Sequence, residues 1–433
     1  MDTPPQPARW RPAAVVGIGV VLAWAAVHHR VLDVAGLNSG IVAGELDVLV
    51  AGQALAEGAE LDALTGSIHG YELGAYLAAR FQSVLLGAGV DSTLLSRLMA
   101  GTVGATFALA VAGLAAALVG PDRSGRWRAA AAAGGVAAIA WPALHACTFG
   151  FLGTTAEAWP WVLVAMLLTL TSSRTGHAAV AGAFCAIGWL FSPLAVLAVA
   201  PLAGALSAAK PRVTLQRLGI VAVGAAGVVA AVALFVPAGL LALGKNLRWT
   251  LGGVRTFLGL GEPLIGGDAG IDPLSVFGMW AGVAPGPGLT YCASVAVTLV
   301  LLAGHVAVAS GRLPQVPRTA VLMARWSWLI VPVLVALPPA LGDSPQGSRY
   351  WLFVQGLELA FLAGAAAVPG ARSWLRALLL VALVGGVVGW SGESGPRWGP
   401  AATPQAWVAL GAHRMGARQL RPADLSEYSG TWL

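Results

Sequence analysis

The sequence predicts an all-α protein that crosses a membrane many times. Of its 433 residues, 57% are hydrophobic and only 10% are charged, whereas an ordinary soluble domain carries about 25% charged residues. Apolar runs long enough to cross a bilayer recur along most of the chain. The basic residues are spread over the short segments between those runs. The net charge of +6 therefore does not indicate a nucleic-acid partner.

Eleven apolar runs have the length of a membrane-crossing helix, which needs about 17 to 25 predominantly apolar residues. The first apolar run follows Arg9 and Arg11 and is similar to a signal peptide. The many later spans favour a first helix that is retained in the mature protein. The fifth and sixth runs are short and meet at FSPL, around Pro193, so one kinked span is the alternative there. The predicted spans are 12–28, 94–119, 129–147, 157–172, 177–191, 194–208, 218–242, 286–308, 322–341, 350–368 and 374–391.

Lysine and arginine are enriched in cytoplasmic loops, and this bias predicts the orientation. With the N-terminus inside, the inner segments hold more than half of the basic residues, and almost all acids fall outside or within spans. This orientation requires that residues 71–89, YELGAYLAARFQSVLLGAG, do not cross the membrane. Glu72, Arg80 and Gln82 give that segment a polar stripe, which predicts a helix lying in the outer interface.

A single membrane domain, residues 1–391, is therefore expected, with outer loops at 29–93 and 243–285. Residues 392–433 form a short polar tail on the outer face. The predicted location is the plasma membrane, with many passes, the N-terminus cytoplasmic and the C-terminal tail outside. The three cysteines lack metal-ligand spacing and are odd in number, so neither a zinc site nor a disulfide framework is expected.

The first outer loop contains the first candidate residues. In NSGIVAGELDVLVAGQALAEG (38–58), Glu45 and Asp47 stand two residues apart where a helix is expected to begin. In an extended approach such residues project to the same side, so both carboxylates are placed to converge near the helix N-terminus. They are candidate catalytic acids. The alternative is that they only stabilise the N-terminus through the helix dipole.

Cationic side chains at the outer face are the second candidate set, because positive charge outside runs against the topology rule. Arg349 and Tyr350, in GDSPQGSRYWLFVQG, stand at the mouth of the tenth span. An arginine there either grips a phosphate through its planar fork or extends to lipid headgroups. Lys245 and Arg248 share one helical face. Together with Arg255, they favour contact either with anionic headgroups or with a specific phosphate ligand.

Two further residues are candidates for lining a substrate cavity with Arg255. His69 precedes the predicted interfacial helix, and Glu157, in GTTAEAWPW, lies at the outer start of a span. Glu358 lies deeper, in the tenth span, where an ionisable group is a functional candidate by default or pairs with another polar group. His28 ends the first span. No histidine has a partner at metal-binding spacing, so structural roles and no metal site are predicted.

The order of these parts resembles the GT-C superfamily of membrane glycosyltransferases, in the bacterial branch of protein mannosyltransferases and aminoarabinose transferases. GELDVLVAGQALAEG stands where that branch has acids in its first outer loop, and HGYELGAYLAARFQSVLLG where its interfacial helix starts. STLLSRLMAGTVGATFALAVAGLAAALVG is similar to the helix that follows, and GSRYWLFVQGLELAFLAG to the late span opened by Arg-Tyr. The resemblance covers residues 10 to 390 in order and spacing.

The resemblance implies inverting transfer of a sugar from a polyprenyl-phosphate donor to an acceptor, a glycan, lipid or protein, at the outer face of the membrane. An acid of the first outer loop, Asp47 or Glu45, would take the proton of the acceptor. The developing charge on the leaving phosphate needs cations, which would come from Arg349, Tyr350, Lys245 and Arg248. No metal is expected to be required when a lipid monophosphate leaves, although some members of the family use one.

Two other functional classes stay open at this point. A secondary transporter or lipid flippase would use intramembrane carboxylates such as Glu358 and normally shows internal repeats. A non-catalytic membrane subunit would keep the architecture without the chemistry. The absence of prolines after His69 and of an aromatic residue after the acids fits that second class. Unchanged function after Glu45→Gln with Asp47→Asn would identify it.

Overall fold

The structure of the chain is a computed structural model. It describes residues 10–34, 73–90, 92–120, 125–141, 144–145, 155–172, 174–236, 239–257, 289–313, 315–336, 348–368 and 373–391. All secondary-structure elements in these ranges are helical, which confirms the predicted all-α class. Most of the predicted first outer loop, much of the second and the whole predicted tail at 392–433 lie outside the described residues.

The helices are numbered in chain order, and a short 3-10 segment, Pro193–Ala198, stands between the sixth and the seventh. They are α1 (Trp10–Val34), α2 (Leu73–Gly87), α3 (Ser92–Val119), α4 (Arg126–Ile139), α5 (Thr155–Thr171), α6 (Thr175–Phe191), α7 (Val199–Leu206), α8 (Pro211–Phe235), α9 (Gly239–Phe257), α10 (Leu289–Ala309), α11 (Arg318–Ser327), α12 (Ile330–Ala336), α13 (Ser348–Ala367) and α14 (Ser373–Ser391).

Within the described residues, each predicted span overlaps a helix or two consecutive helical segments. Within the described ranges, four stretches are long and apolar enough to cross a membrane by length and composition: Leu98–Val119, Pro211–Phe235, Arg318–Val335 and Tyr350–Ala367. Six shorter apolar helices accompany them: Ala13–His29, Ala156–Thr171, Thr175–Phe191, Pro193–Leu206, Val295–Ala309 and Ser373–Gly385. The chain is a polytopic membrane protein, and its orientation stays a prediction.

One predicted span ends earlier than expected. The seventh was predicted to reach residue 242, but α8 ends at Phe235, and Val236 is extended with φ −97° and ψ 123°. Val236 precedes Pro237, and a residue before proline is disfavoured in the α conformation. A new helix, α9, then begins at Gly239. The second outer loop, predicted to begin at residue 243, therefore begins inside α9.

Helix α13 lies at the centre of the bundle. It packs against α3, α4, α5, α10 and α14, and the side chains from Trp351 to Ala366 are all buried. Glycines allow this close packing, since a Cβ at Gly356 would lie 2.8 Å from Phe107 of α3. Gly364 similarly meets Leu118 of α3. Because both contacts advance together along the two helices, α3 and α13 run in the same direction.

The directions of the other helices follow from similar contacts. Trp24 Nε1 of α1 donates to the Gly101 carbonyl oxygen at 2.9 Å, and Gly17 lies beside Leu109, so α1 runs antiparallel to α3. The helices α3, α5 and α13 begin at one end of the bundle, and α1, α4 and α6 end there. We call this the predicted outer end. The opposite end is the predicted inner end. Both names follow the topology predicted from the basic residues.

Two helices lie together at the predicted outer end. Helix α9 covers the end of α6, where Asn246 Nδ2 donates to the Trp189 carbonyl oxygen at 2.6 Å and Trp189 Nε1 donates to Thr250 Oγ1 at 2.9 Å. Helix α2 packs against α3, α6 and α9. Its 15 residues span about 22 Å, less than the roughly 30 Å hydrocarbon core. The placement of α2 in the outer interface stays a prediction.

Candidate functional site

The predicted cations of the second outer loop lie on α9. Lys245, Arg248 and Arg255 are all within this helix, and the side chains of Arg248 and Arg255 are exposed. These two arginines are seven residues apart, which places them on the same side of the helix about 10.5 Å along its axis. Exposed apolar residues run beside them along α9, at Leu240, Leu247, Leu251 and Val254. The helix is therefore amphipathic on its uncovered side, with cations along one edge.

The predicted Arg-Tyr pair stands in the first turn of α13. Arg349 is the second residue of this helix and Tyr350 is the third. The Tyr350 ring is partly buried and packs against the apolar core of the bundle. The N-terminus of a helix attracts negative charge through its dipole and its unpaired N–H groups. Arg349 is thus attached at a position that already favours an anion.

Glu157 lies in the first turn of α5, beside the start of α13. Its side chain is only 2% exposed, and its carboxylate is at the helix end where the dipole favours it. Two residues on, Trp159 stacks on Phe353 of α13 with ring centroids 5.4 Å apart. The structure therefore brings the predicted residues Glu157 and Tyr350 to neighbouring helix starts.

Two histidines meet at the same end of the bundle. His28 of α1 and His145, beyond the end of α4, lie with their Nδ1 atoms 3.4 Å apart, and Trp24 stacks on both rings with centroid separations of 4.6 Å. His145 Nε2 contacts the Ile139 carbonyl oxygen, so that nitrogen carries a proton and donates. The two Nδ1 atoms lie within hydrogen-bonding distance, and the tautomers of the two rings decide which of them donates.

A second polar contact joins α13 to the segment after α4. The buried Trp141 indole donates from Nε1 to Gln355 Oε1 at 3.0 Å. Gln355 is fully buried in α13, two turns in from its start. Hydrogen bonding satisfies an amide that would otherwise be costly to bury. The predicted outer end thus combines buried polar groups with four buried tryptophans, at positions 24, 141, 159 and 351.

Three of the predicted site residues cannot be placed. Glu45, Asp47 and His69 lie outside the described residues. Their assigned roles, like those of the cations on α9 and α13, stay predictions. The described candidates share one end of the bundle but form two groups. One is the set of α5 and α13 residues that contains Glu157 and Tyr350, and the other is the exposed edge of α9.

The sequence alone did not predict Trp24, Trp141, His145 or Gln355 as site residues, and His28 was expected to have only a structural role. A signal was present for Gln355, because it is an amide inside an apolar span. The His28–His145 contact joins residues 117 positions apart, so no local pattern could reveal it.

Glu358 belongs to a different cluster, farther along α13. Its Oε1 lies 3.7 Å from His305 Nδ1 of α10, and both side chains are buried. His305 Nε2 lies 2.7 Å from the Ala324 carbonyl oxygen and 2.9 Å from Ser327 Oγ in α11. Of the two roles open to Glu358, pairing with another polar group is therefore the one that the structure supports.

Comparisons with known proteins bear on the fold. No protein-family model matches the chain, and no curated protein matches it. Among solved structures, the chain is similar to the crystal structure of the oligosaccharyltransferase of Archaeoglobus fulgidus in the apo form, with a TM-score of 0.53 and 14% sequence identity. The match covers 92% of this chain and 58% of that enzyme, so the chain corresponds to little more than half of it. The chain therefore shares the fold of the matching part of that oligosaccharyltransferase.

Proposed function

We propose that the chain is a GT-C-type glycosyltransferase that moves a sugar from a polyprenyl-phosphate donor to an acceptor at the outer face of the membrane. The observation that carries this proposal is the fold shared with an oligosaccharyltransferase over 92% of the chain. A fold does not by itself determine chemistry. The residues at the predicted outer end supply the rest of the support.

The donor phosphate is assigned to the start of α13. Arg349 stands in the first turn of a 20-residue helix, where the dipole and the N–H groups favour an anion. A guanidinium adds bidentate hydrogen bonds to phosphate oxygens. Tyr350 follows at the edge of the core and offers a hydroxyl group.

The lipid portion of the donor is assigned to α9. This helix exposes Leu247 and Leu251 beside Arg248 and Arg255, and Lys245 belongs to the same helix. A polyprenyl phosphate has the same division into an anionic head and an apolar tail. An amphipathic edge at the membrane surface suits such a ligand better than a soluble nucleotide sugar.

The reaction needs a base, which the proposal assigns to Asp47 or Glu45. The carboxylate accepts the proton of the acceptor hydroxyl or amine as its oxygen or nitrogen forms a bond to the anomeric carbon of the sugar. The bond from that carbon to the phosphate oxygen breaks, and its electron pair leaves with the phosphate. Attack opposite the leaving group inverts the anomeric centre. Arg349, with Lys245 or Arg248, offsets the charge that develops on the phosphate.

Donor binding can be tested without knowing the acceptor. Full-length protein in detergent is titrated with polyprenyl monophosphate, and its thermal stability is compared for the wild type, Arg349→Ala and Arg248→Ala. At a hundredfold excess over Kd, a ligand stabilises by about 2.7 kcal/mol. Loss of one charge-assisted contact of about 1.5–3 kcal/mol weakens binding by roughly 10- to 150-fold. The matched control is Arg174→Ala, an exposed arginine at the predicted inner end.

The two possible failures are distinguishable. A wild type that is not stabilised at saturating lipid would remove the proposed donor class. Equal binding by wild type and Arg349→Ala would leave the donor class and reject the position assigned to its phosphate.

The base is tested by turnover of a polyprenyl-phosphate sugar, read as release of polyprenyl phosphate. General base catalysis contributes about 10²–10⁴-fold, so Asp47→Asn or Glu45→Gln should reduce turnover by that order while donor binding is retained. Unchanged turnover by the doubly substituted protein would reject both acids as the base, and a wild type that binds the donor without turning it over would indicate a non-catalytic subunit.

A further inference from the structure

A cavity opens at the predicted inner end, far from the proposed transferase site, where α10 ends and α11 begins. Its volume is about 320 Å³, and it is lined by Gly311, Val316, Arg318, Val321, Leu322 and Arg325. Two of the six lining residues are arginines, and three are apolar. The cavity is therefore cationic and apolar at once, a combination that suits an amphipathic anion.

The two arginines face the cavity from one side of α11. Arg318 is the first residue of this helix and Arg325 belongs to its last turn. Seven residues make nearly two turns, so their side chains leave the same face about 10.5 Å apart along the axis. Val321 and Leu322 lie between them and form an apolar floor.

The guanidinium of Arg325 is held in place by α10. Its Nε donates to the Ala309 carbonyl oxygen at 2.7 Å, which leaves the two terminal amino groups available for a ligand. Gly311 turns the chain beside it with φ 69°. A Cβ at Gly311 would lie 3.5 Å from Arg325 Nη2, so a larger side chain would reach over the guanidinium.

None of the six residues that line the cavity carries a negative charge. The sequence contains no Asp or Glu from residue 309 to residue 342. Within the part of the chain that the structure describes, no carboxylate forms an ion pair with Arg318 or Arg325. The N-terminus of α11 adds its own positive dipole at Arg318. The charge that the described residues place at the cavity is thus positive.

We infer that this cavity binds a phosphate group, carried either by an anionic phospholipid or by free phosphate. Arginine forks match phosphate oxygens in geometry and charge. The apolar floor accommodates the glycerol or acyl part of a lipid, and basic pockets between helices at the cytoplasmic side are suited to phospholipid headgroups. The inference is independent of the proposed transferase activity.

The test uses full-length protein in detergent with two ligands. Phosphatidylglycerol is compared with phosphatidylcholine by native mass spectrometry and by thermal stability, and sodium phosphate is compared with sodium chloride at equal ionic strength. Arg318→Gln is the primary variant, since its side chain makes no hydrogen bond to a described residue. Arg325→Gln also cuts the link to Ala309. Arg312→Gln is the matched control, because Arg312 is exposed in the same turn and does not line the cavity.

The expected result is binding of one phosphate-bearing ligand that weakens about tenfold in Arg318→Gln and is unchanged in Arg312→Gln. Selective retention of phosphatidylglycerol identifies a phospholipid, and stabilisation by inorganic phosphate alone identifies the free anion. The inference is overturned if neither ligand binds the wild type, if Arg318→Gln binds as the wild type does, or if Arg312→Gln loses binding to the same degree.

Discussion

Gly224→Ala should push helices α6 and α8 apart. These helices run in the same direction, since Leu190 near the end of α6 shares an apolar cluster with Val232 near the end of α8. A Cβ at Gly224 would overlap the Ala179 carbonyl oxygen and lie 2.7 Å from its carbon. Gly182 meets the Val221 carbonyl group in the same way. Each glycine thus sits directly against the backbone of the other helix.

The cost follows from these distances. Carbon atoms in contact prefer about 3.5–4.0 Å, so a Cβ at 2.7 Å requires the backbones to separate by roughly 1 Å. Overpacking of this kind costs about 1–3 kcal/mol. Alanine is the better helix former by about 1 kcal/mol, which offsets part of the loss.

Gly227→Ala is a matched control in the same helix. A Cβ at Gly227 would meet no other described heavy atom within 4 Å, so the substitution keeps the gain in helix propensity without the overlap. The difference between the two variants isolates the packing term. We expect Gly224→Ala to be less stable than Gly227→Ala by about 1–3 kcal/mol, or roughly 5- to 150-fold in the unfolding equilibrium.

The assay is reversible unfolding in mixed micelles of mild detergent and dodecyl sulfate, followed by tryptophan fluorescence. Adding Gly182→Ala to Gly224→Ala should cost less than the sum of the single substitutions, because both act at one crossing. Equal stability of Gly224→Ala and Gly227→Ala would refute the close backbone contact between α6 and α8.

Three further predictions concern buried polar groups and metal ions. Gln355→Leu leaves the Trp141 indole N–H without its acceptor and should destabilise the protein by about 0.6–1.7 kcal/mol in the same unfolding assay. An unchanged unfolding equilibrium would contradict the hydrogen bond. Glu358→Leu should cost about 1–3 kcal/mol because the buried His305 Nδ1 loses the carboxylate that lies 3.7 Å away. Glu358→Gln should cost less, and equal losses would argue against the pairing. EDTA should not change the turnover of a polyprenyl-phosphate sugar, and a loss that Mg²⁺ or Mn²⁺ restores would overturn the prediction of a metal-free reaction.

Much of the helical architecture could be predicted because lipid imposes a simple rule on composition. The tenth predicted span, 350–368, corresponds closely to α13 (Ser348–Ala367). Its start was visible because the polar segment GDSPQGSRY is followed directly by an apolar run. The end of the seventh span was predicted wrongly because the segment FVPAGLLALG is apolar on both sides of the helix break after Phe235. Composition could not show that α8 ends at Phe235. Pro237 was the available signal, through its effect on Val236.

The candidate site was predictable only where its residues break the apolar pattern. Arg349 and Glu157 stand out in sequence as charges at the mouths of spans. The His28–His145 and Trp141–Gln355 contacts join positions far apart in the chain. Their pairing depends on helix packing that a single sequence does not reveal.

The central position of α13 has a consequence for how the protein is made. The helices that surround it, α3, α4, α5 and α10, all precede it in the chain, and only α14 among its main neighbours follows. During synthesis they must enter the membrane before their shared partner exists. Until α13 is in place, the Trp141 indole N–H also lacks its acceptor, because that acceptor is Gln355 of α13. A nascent chain that stalls before residue 348 would therefore leave a hole in the middle of the assembly, open to lipid or to a membrane chaperone.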